Sequence, residues 1–174
     1  FDIVFYTVAL PEEEQKIRPD LRQALSINQL QIPVLRQRIE DIVPLFMKYL
    51  LSLTKSKKIQ SVTEKMERLL VTYTWPGNVT ELRTVSIKYV KMLEQSSYRT
   101  AEWRYECLIK SIGEKNIVEA VRSMYPYSDG AKAENNEQLR KRIEKVKDLL
   151  GYTNEKIADL LAVSRTTVWR IMKK

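Results

Sequence analysis

The sequence contains no histidine and a single cysteine, Cys107, among its 174 residues. The first absence removes imidazole both as a general base and as a metal ligand. The second excludes an internal disulfide and any cysteine-built zinc site, and one free thiol suits a reducing, cytoplasmic setting. Four glycines and six prolines leave little low-complexity linker. Apolar runs are only a few residues long, too short to span a bilayer, so no membrane partner is expected. No signal peptide is legible after Phe1-Asp2, and a first residue other than Met reads as an internal piece or a processed product.

What is present is ordinary for a folded protein: 44% apolar and 30% charged residues. The charge balance is less ordinary. Thirty Lys and Arg stand against 22 Asp and Glu, a net +8. An excess of that size points to a polyanionic partner, of which nucleic acid is the commonest.

The chain reads as mainly α. FDIVFYTVAL (1–10) is β-branched and aromatic and predicts a buried strand. A short helix follows around Leu21, and SINQLQIP (26–33) reads as a second strand. From Asp41 the spacing becomes helical. Ile42, Leu45, Phe46, Tyr49, Leu50 and Leu53 form one stripe, with Asp41 as cap and Pro44 in the first turn. Ser61 to Glu64 matches a capping box before the stripe Met66, Leu69, Leu70, Tyr73. Trp75-Pro76-Gly77 breaks the chain, and Asn78 is placed to cap the stripe Leu82, Val85, Tyr89, Val90, Leu93. Thr100 predicts the start of a helix carrying Trp103, Leu108, Ile109 and Ile112, ended by Gly113. Ile117, Val118, Val121 and Met124 suggest another. Trp103 and Tyr105 read as core or interface, Cys107 as a small buried residue, and Glu12-Glu13-Glu14 as a solvated loop. The turn-rich stretch from Tyr125 to Gly130 marks a boundary.

The last forty residues carry the clearest pattern. Leu139, Ile143, Val146 and Leu150 stripe one helix, stopped by Gly151. Thr153 caps a second, with Ile157, Ala158 and Leu161, and Ser164 caps a third, with Val168 and Ile171. Such spacing suits a helix-turn-helix. Ala158 permits a close helix crossing, Val163 anchors the turn, and Val168 and Ile171 pack the last helix inward. Ser164, Arg165, Thr166, Thr167, Trp169, Arg170 and Lys173 then remain as candidate DNA-binding residues. Arg165 suits a guanine edge and Thr166 a base or phosphate. Ser164 and Thr167 suit phosphate beside a helix N-terminus, with Arg170 and Lys173 for the backbone. Residues 136–174 hold ten basic and five acidic residues, a net +5.

Ala158-Asp159-Leu160-Leu161-Ala162-Val163-Ser164-Arg165-Thr166-Thr167-Val168-Trp169-Arg170 resembles the Fis-type motif A-x-x-L-G-[IV]-S-R-T-T-L-W-R that ends bacterial enhancer-binding proteins. Ala162 stands where that motif often has Gly. IPVLRQRIEDI (32–42) resembles the family's LPPLRERxEDI, YTWPGNVTELR (73–83) its Y-x-WPGNVRELR, and IRPDLRQAL (17–25) its FRxDLYYRL. They occur in the family's order and spacing. The resemblance covers residues 1 to about 95 and 136 to 174. It implies the tail of an α/β AAA+ core (1–40), a helical AAA+ lid (41–95), a helical linker (96–135) and a Fis-type helix-turn-helix (136–174). Members are activators of sigma-54 RNA polymerase that use a hexameric ATPase, so double-stranded DNA and that polymerase are the implied partners. Fis-type domains work as two-fold dimers, which implies a homodimer through the helix at 137–150 and a palindromic site.

The same resemblance marks departures. No G-x-x-x-x-G-K-[ST] occurs in the sequence, so no nucleotide or metal cofactor is expected in this chain, ATP and magnesium being implied only by the family. Val8 stands at the position of the family's γ-phosphate-sensing Asn. Arg18 matches the first of two arginines that act on a neighbour's nucleotide, whereas Ala24 replaces the second. Thr80 replaces the lid's nucleotide-sensing Arg, while Arg22 and Arg83 are cations at other motif positions. Arg18 is also read as the partner of Glu12, Glu13 or Glu14. A DNA-binding regulator with a degenerate ATPase is the leading expectation, leaning against an enzyme. The alternatives are the C-terminal part of a working ATPase that remodels sigma-54 polymerase, and an assembly module that does not bind DNA.

Overall fold

The computed structural model describes residues 16–25, 32–54, 61–95, 100–126 and 132–173. Chain packing forms two compact units, Phe1–Pro33 and Val34–Lys174. The first contributes one described helix, α1 (Pro19–Leu25). The strand expected at 1–10 lies outside the described residues, as does most of the one expected at 26–33 and the Glu12-Glu13-Glu14 run.

The second unit is helical throughout its described residues. A 3₁₀ turn (Leu35–Gln37) leads into α2 (Ile39–Leu53), α3 (Glu64–Thr72), α4 (Asn78–Glu94), α5 (Ala101–Ile112), α6 (Glu114–Met124), α7 (Lys132–Leu150), α8 (Asn154–Leu161) and α9 (Arg165–Met172). The stripes read from the sequence point inward: Ile42, Phe46 and Leu50 from α2, Met66, Leu69 and Leu70 from α3, and Leu82, Val85, Tyr89 and Val90 from α4 are buried. Leu53 and Met124 lie at stripe ends and are exposed. Tyr105 and Cys107 are core, as expected.

Three capping assignments differ from expectation. The acceptor for α3 is Thr63, whose hydroxyl takes the Met66 N–H at 3.3 Å, so the Ser61 frame is two residues early. Asp41 lies inside α2, whose N-cap is Arg38, and Pro44 falls in the second turn rather than the first. Its missing donor leaves only the Glu40 carbonyl unpaired within the helix, at an exposed site where water serves. Asn78 is not a cap. Its Oδ1 accepts the Leu35 N–H at 2.9 Å and so ties the 3₁₀ turn to the start of α4.

The WPGN segment is held from several sides. Trp75 is buried, its indole donating to the Leu70 carbonyl at 2.8 Å. Tyr73 meets that ring edge-on, 5.0 Å between centroids. Glu81 turns back to accept the Gly77 N–H at 2.8 Å and the Tyr73 hydroxyl at 2.7 Å. A Cβ on Gly77 would stand 2.8 Å from that of Glu81, so close approach requires the glycine here.

α7 joins the two ends of this unit. Leu139, Ile143, Val146, Leu149 and Leu150 are buried, and the helix packs against α3 and α6 as well as α8 and α9. Packing therefore runs across residues 95 and 135 without a break. Polar ties accompany it. Arg142, only 7% exposed, donates through Nε to the Tyr125 carbonyl at 2.7 Å and through Nη2 to that of Arg122 at 3.4 Å, meeting the C-terminus of α6. Arg122 in turn reaches the Leu160 carbonyl at 3.4 Å. The Tyr105 hydroxyl donates to the Leu149 carbonyl in the last turn of α7, where the helix itself offers no donor. Gly151 (φ +67°) lets the chain leave α7 in the left-handed conformation.

Burial pushes the Tyr105 phenol up to about 12, with the Asp148 carboxylate adding to the rise and Arg68 opposing it. Folding thus favours the neutral phenol. That stability is present below the unfolded value near 10 and is lost as pH rises through about 12. An alkaline titration followed by tyrosinate absorbance and helical circular dichroism should show cooperative loss of helix in this window, and Tyr105→Phe should shift the loss to higher pH. An unchanged midpoint in the variant would contradict this coupling.

Candidate nucleic-acid interface

The last three helices arise from local rules. The Thr153 hydroxyl accepts the Lys156 N–H at 3.5 Å to start α8. Ala162 takes a left-handed turn (φ +56°) and Val163 N–H returns to the Ala158 carbonyl at 3.0 Å. Ala is tolerated there at some strain, which explains why Gly is the commoner choice. Ile157, Ala158, Leu161, Val168 and Ile171 are buried where α8, α9 and α7 meet. Val163 is only partly buried against this core.

α9 presents the expected outward set. Arg165, Thr166, Trp169, Arg170 and Lys173 are exposed, and Thr167 is half-buried. Trp169 is 60% exposed, unusual for so large an aromatic side chain. Lys173 Nζ lies 4.3 Å from the centre of its ring, a cation–π contact. Asn154, Glu155, Arg165, Thr166 and Trp169 line an open hollow of about 380 Å³ between α8 and α9. Arg165 Nη1 lies 3.3 Å from Glu155 Oε1 across it.

Ser164 caps α9, as expected. Its hydroxyl accepts the Thr167 N–H at 3.0 Å and lies 2.9 and 2.7 Å from the Thr166 and Thr167 hydroxyls. It is a cap tied into a local hydroxyl cluster. The helix start still leaves the Arg165 and Thr166 N–H groups without an i−4 carbonyl.

The first turn of α9 contains no acidic residue and begins with Arg165. A cation at a helix N-terminus works against the helix dipole, where a carboxylate would gain roughly 0.3–1 kcal/mol. A local rule broken at an exposed position is where function is expected, and an anionic partner would relieve the conflict.

Not every basic residue of 136–174 shares this face. Arg142 is buried at the α6 terminus. Arg140 and Lys141 pair with Glu144 and Glu137 along α7, at 2.8 and 2.7 Å. The Lys141 ammonium holds the Glu137 carboxyl below its ordinary value. Lys156 lies over the Tyr152 ring and 3.5 Å from Glu114, which also accepts the Tyr152 hydroxyl. Sequence reasoning missed Glu155, Glu114 and Arg142 as organisers. The acid at the second position of α8 and its ten-residue separation from Arg165 gave no periodic signal.

Just before α1, Arg18 pairs with Asp20, whose carboxyl it holds below the ordinary range. Ala24 is exposed on α1, and Thr80 is exposed in the first turn of α4. Neither side chain carries the positive charge that a nucleotide phosphate would need. Val8 lies outside the described residues. Among the described residues, no group of three or more His, Cys, Asp or Glu could hold a metal ion, and no helix is long and apolar enough to cross a membrane.

The cap assignment gives a direct test. Ser164→Ala should cost about 1 kcal/mol in urea unfolding, whereas Thr166→Ala, which leaves the cap acceptor in place, should cost less than half as much. Equal costs would contradict it.

Residues 36–112, which run through α5, match the AAA+ ATPase lid domain family. The chain is 34% identical over 80 residues to the pathogenicity locus probable regulatory protein HrpS of Pseudomonas savastanoi pv. phaseolicola, covering 45% of this chain and 26% of the relative. It is 29% identical over 172 residues to the DNA-binding transcriptional activator HyfR of Escherichia coli (strain K12), covering 93% of this chain and 25% of the relative. It is 34% identical over 96 residues to the Nif-specific regulatory protein of Enterobacter agglomerans, covering 52% and 17%. The chain thus spans about a quarter or less of the length of these relatives. No solved structure matches. Residues 36–112 thus match an AAA+ lid, and the lid match, the WPGNV and IEDI segments and the similarity to these regulators support a portion of an enhancer-binding protein that includes that lid.

Proposed function

We propose that this chain is the DNA-reading part of a cytoplasmic transcriptional regulator of the sigma-54 activator type, whose ATPase module is degenerate. The observation that carries the DNA reading is the outer face of α9. A helix start whose Arg165 and Thr166 N–H groups have no i−4 carbonyl, a cation at its first position and a 60% exposed tryptophan stand together there, with no acid in the first turn. Arg165 and Thr166 would face base edges in the major groove, with the first helix of the pair, α8, crossing the backbone. Arg170 and Lys173 would meet phosphates. Ser164 would act through the cap it provides and Thr167 through the same cluster. The similarity to a relative named a DNA-binding transcriptional activator over 93% of this chain supports the same reading.

The degenerate-ATPase reading rests on Ala24 and Thr80, exposed positions that offer no cation where the family has arginine. A full-length protein is expected to remodel polymerase weakly or to act within assemblies of competent relatives. The two-fold dimer implied for Fis-type domains needs separate support, because the apolar residues of α7 named above are buried within the chain. Among the described residues, its outward face is a row of charges from Glu137 to Asp148. Pairing is therefore expected on DNA, where two half-sites align the copies, rather than in free solution.

The test is a fluorescence titration of DNA duplexes across a salt series. Wild type should bind with a steep salt dependence. Arg165→Ala should lose about 1–3 kcal/mol of discrimination between its selected site and random duplex. Absence of binding at low salt, or an unchanged preference in Arg165→Ala, would contradict the reading and favour an assembly module.

A further inference from the structure

We propose that Glu155 is a specificity-determining residue of this reader, one that holds Arg165 for a guanine edge and penalises contact with phosphates alone. The inference rests on the DNA reading above. A carboxylate on a surface that meets a polyanion is costly, since every nearby phosphate repels it. Glu155 nonetheless stands on the rim of the hollow between α8 and α9, beside Arg165, Thr166 and Trp169. Its side chain is 68% exposed and that of Arg165 64%, so neither is held by burial. What relates them is the contact through Nη1 at 3.3 Å.

The guanidinium is a planar fork of five donors. With Nη1 engaged by Glu155, the guanidinium's orientations are restricted and its remaining donors can meet the guanine O6 and N7 together. On a phosphate the outcome differs. The free edge can still meet phosphate oxygens, but the Glu155 carboxylate beside it then faces the phosphate charge and repels it. A guanine allows both contacts at once. Glu155 also has a second oxygen, which can accept from a cytosine amino group in the same groove. Trp169 lines the same hollow.

A plainer role is available to Glu155, because an acid in the first turn of α8 suits the helix dipole. Aspartate would serve that role equally but is one methylene too short to keep the Arg165 contact. The two variants therefore separate the roles.

The experiment uses the whole chain. A duplex site is selected from a randomised pool with wild type. Affinities are then measured for that site, for the same site with each guanine replaced in turn, and for random duplex, across a salt series. Glu155→Gln should bind random duplex several-fold more tightly, with a salt slope steeper by about one ion. Its discrimination at one guanine position, the position Arg165→Ala also affects, should fall about tenfold. Glu155→Asp should lose that discrimination without gaining affinity for random duplex. If Glu155→Gln strengthens selected and random duplexes equally, or if both variants discriminate as wild type does, the inference is overturned while the DNA reading stands. If wild type selects no site at all, the DNA reading falls and takes this inference with it.

Discussion

The second unit depends on one shared wall, the buried face of α7. Ile143 and Val146 are fully buried, and their helix is packed by α3 and α6 from one side of the sequence and by α8 and α9 from the other. An eight-residue helix such as α8 or α9 is marginal by itself. It persists because α7 gives its apolar stripe somewhere to go. The same wall carries polar ties, and these fix geometry more than they add stability. Arg142 meets two carbonyls at the end of α6, Tyr105 meets one at the end of α7, and Arg122 meets one at the end of α8. Each satisfies a helix terminus that has no intrahelical donor left.

The outer face of α9 is displayed by a body that also contains the lid helices, so its orientation is set by the lid's own core. The surface itself obeys different rules from the wall behind it. Inside, each apolar stripe is covered and buried polar groups such as Ser86 and Ser111 bond to carbonyls of their own helices. Outside, Arg165 opposes the helix dipole, Trp169 is largely exposed and Glu155 stands beside Arg165. Such local conflicts are affordable where a partner resolves them.

Much of this was legible in the sequence. The stripes of α2 to α9 were, because a buried helix face repeats with the helical period and strong caps such as Thr100, Thr153 and Ser164 sit where the stripes begin. The α9 surface residues were legible for the complementary reason, being what the buried Val168 and Ile171 leave over. Caps failed where two acceptors lay close together, as at Ser61 and Thr63, or where an asparagine was claimed by a residue 43 positions away, as Asn78 is by Leu35. The organising charges were invisible because they act across elements. Arg142 looked like one of ten surface cations until its helix was set against α6. Glu155 was only one of five acids in the charge count until α9 folded back beside it. The WPGNV segment was read as structural, and its contacts bear that out, although the asparagine works through Leu35 rather than as a cap.

The claim that the lid helices and α8–α9 share one core is tested most directly by hydrogen exchange with Ile143→Ala. Removing this fully buried side chain should cost about 2–5 kcal/mol. If α7 is the common wall, amides of α3 and α6 and those of α8 should lose protection together and by a similar factor. If α8 and α9 alone lose protection while α3 to α6 exchange as in wild type, α8 and α9 form an independent domain resting on the lid, and the account of a single body is wrong.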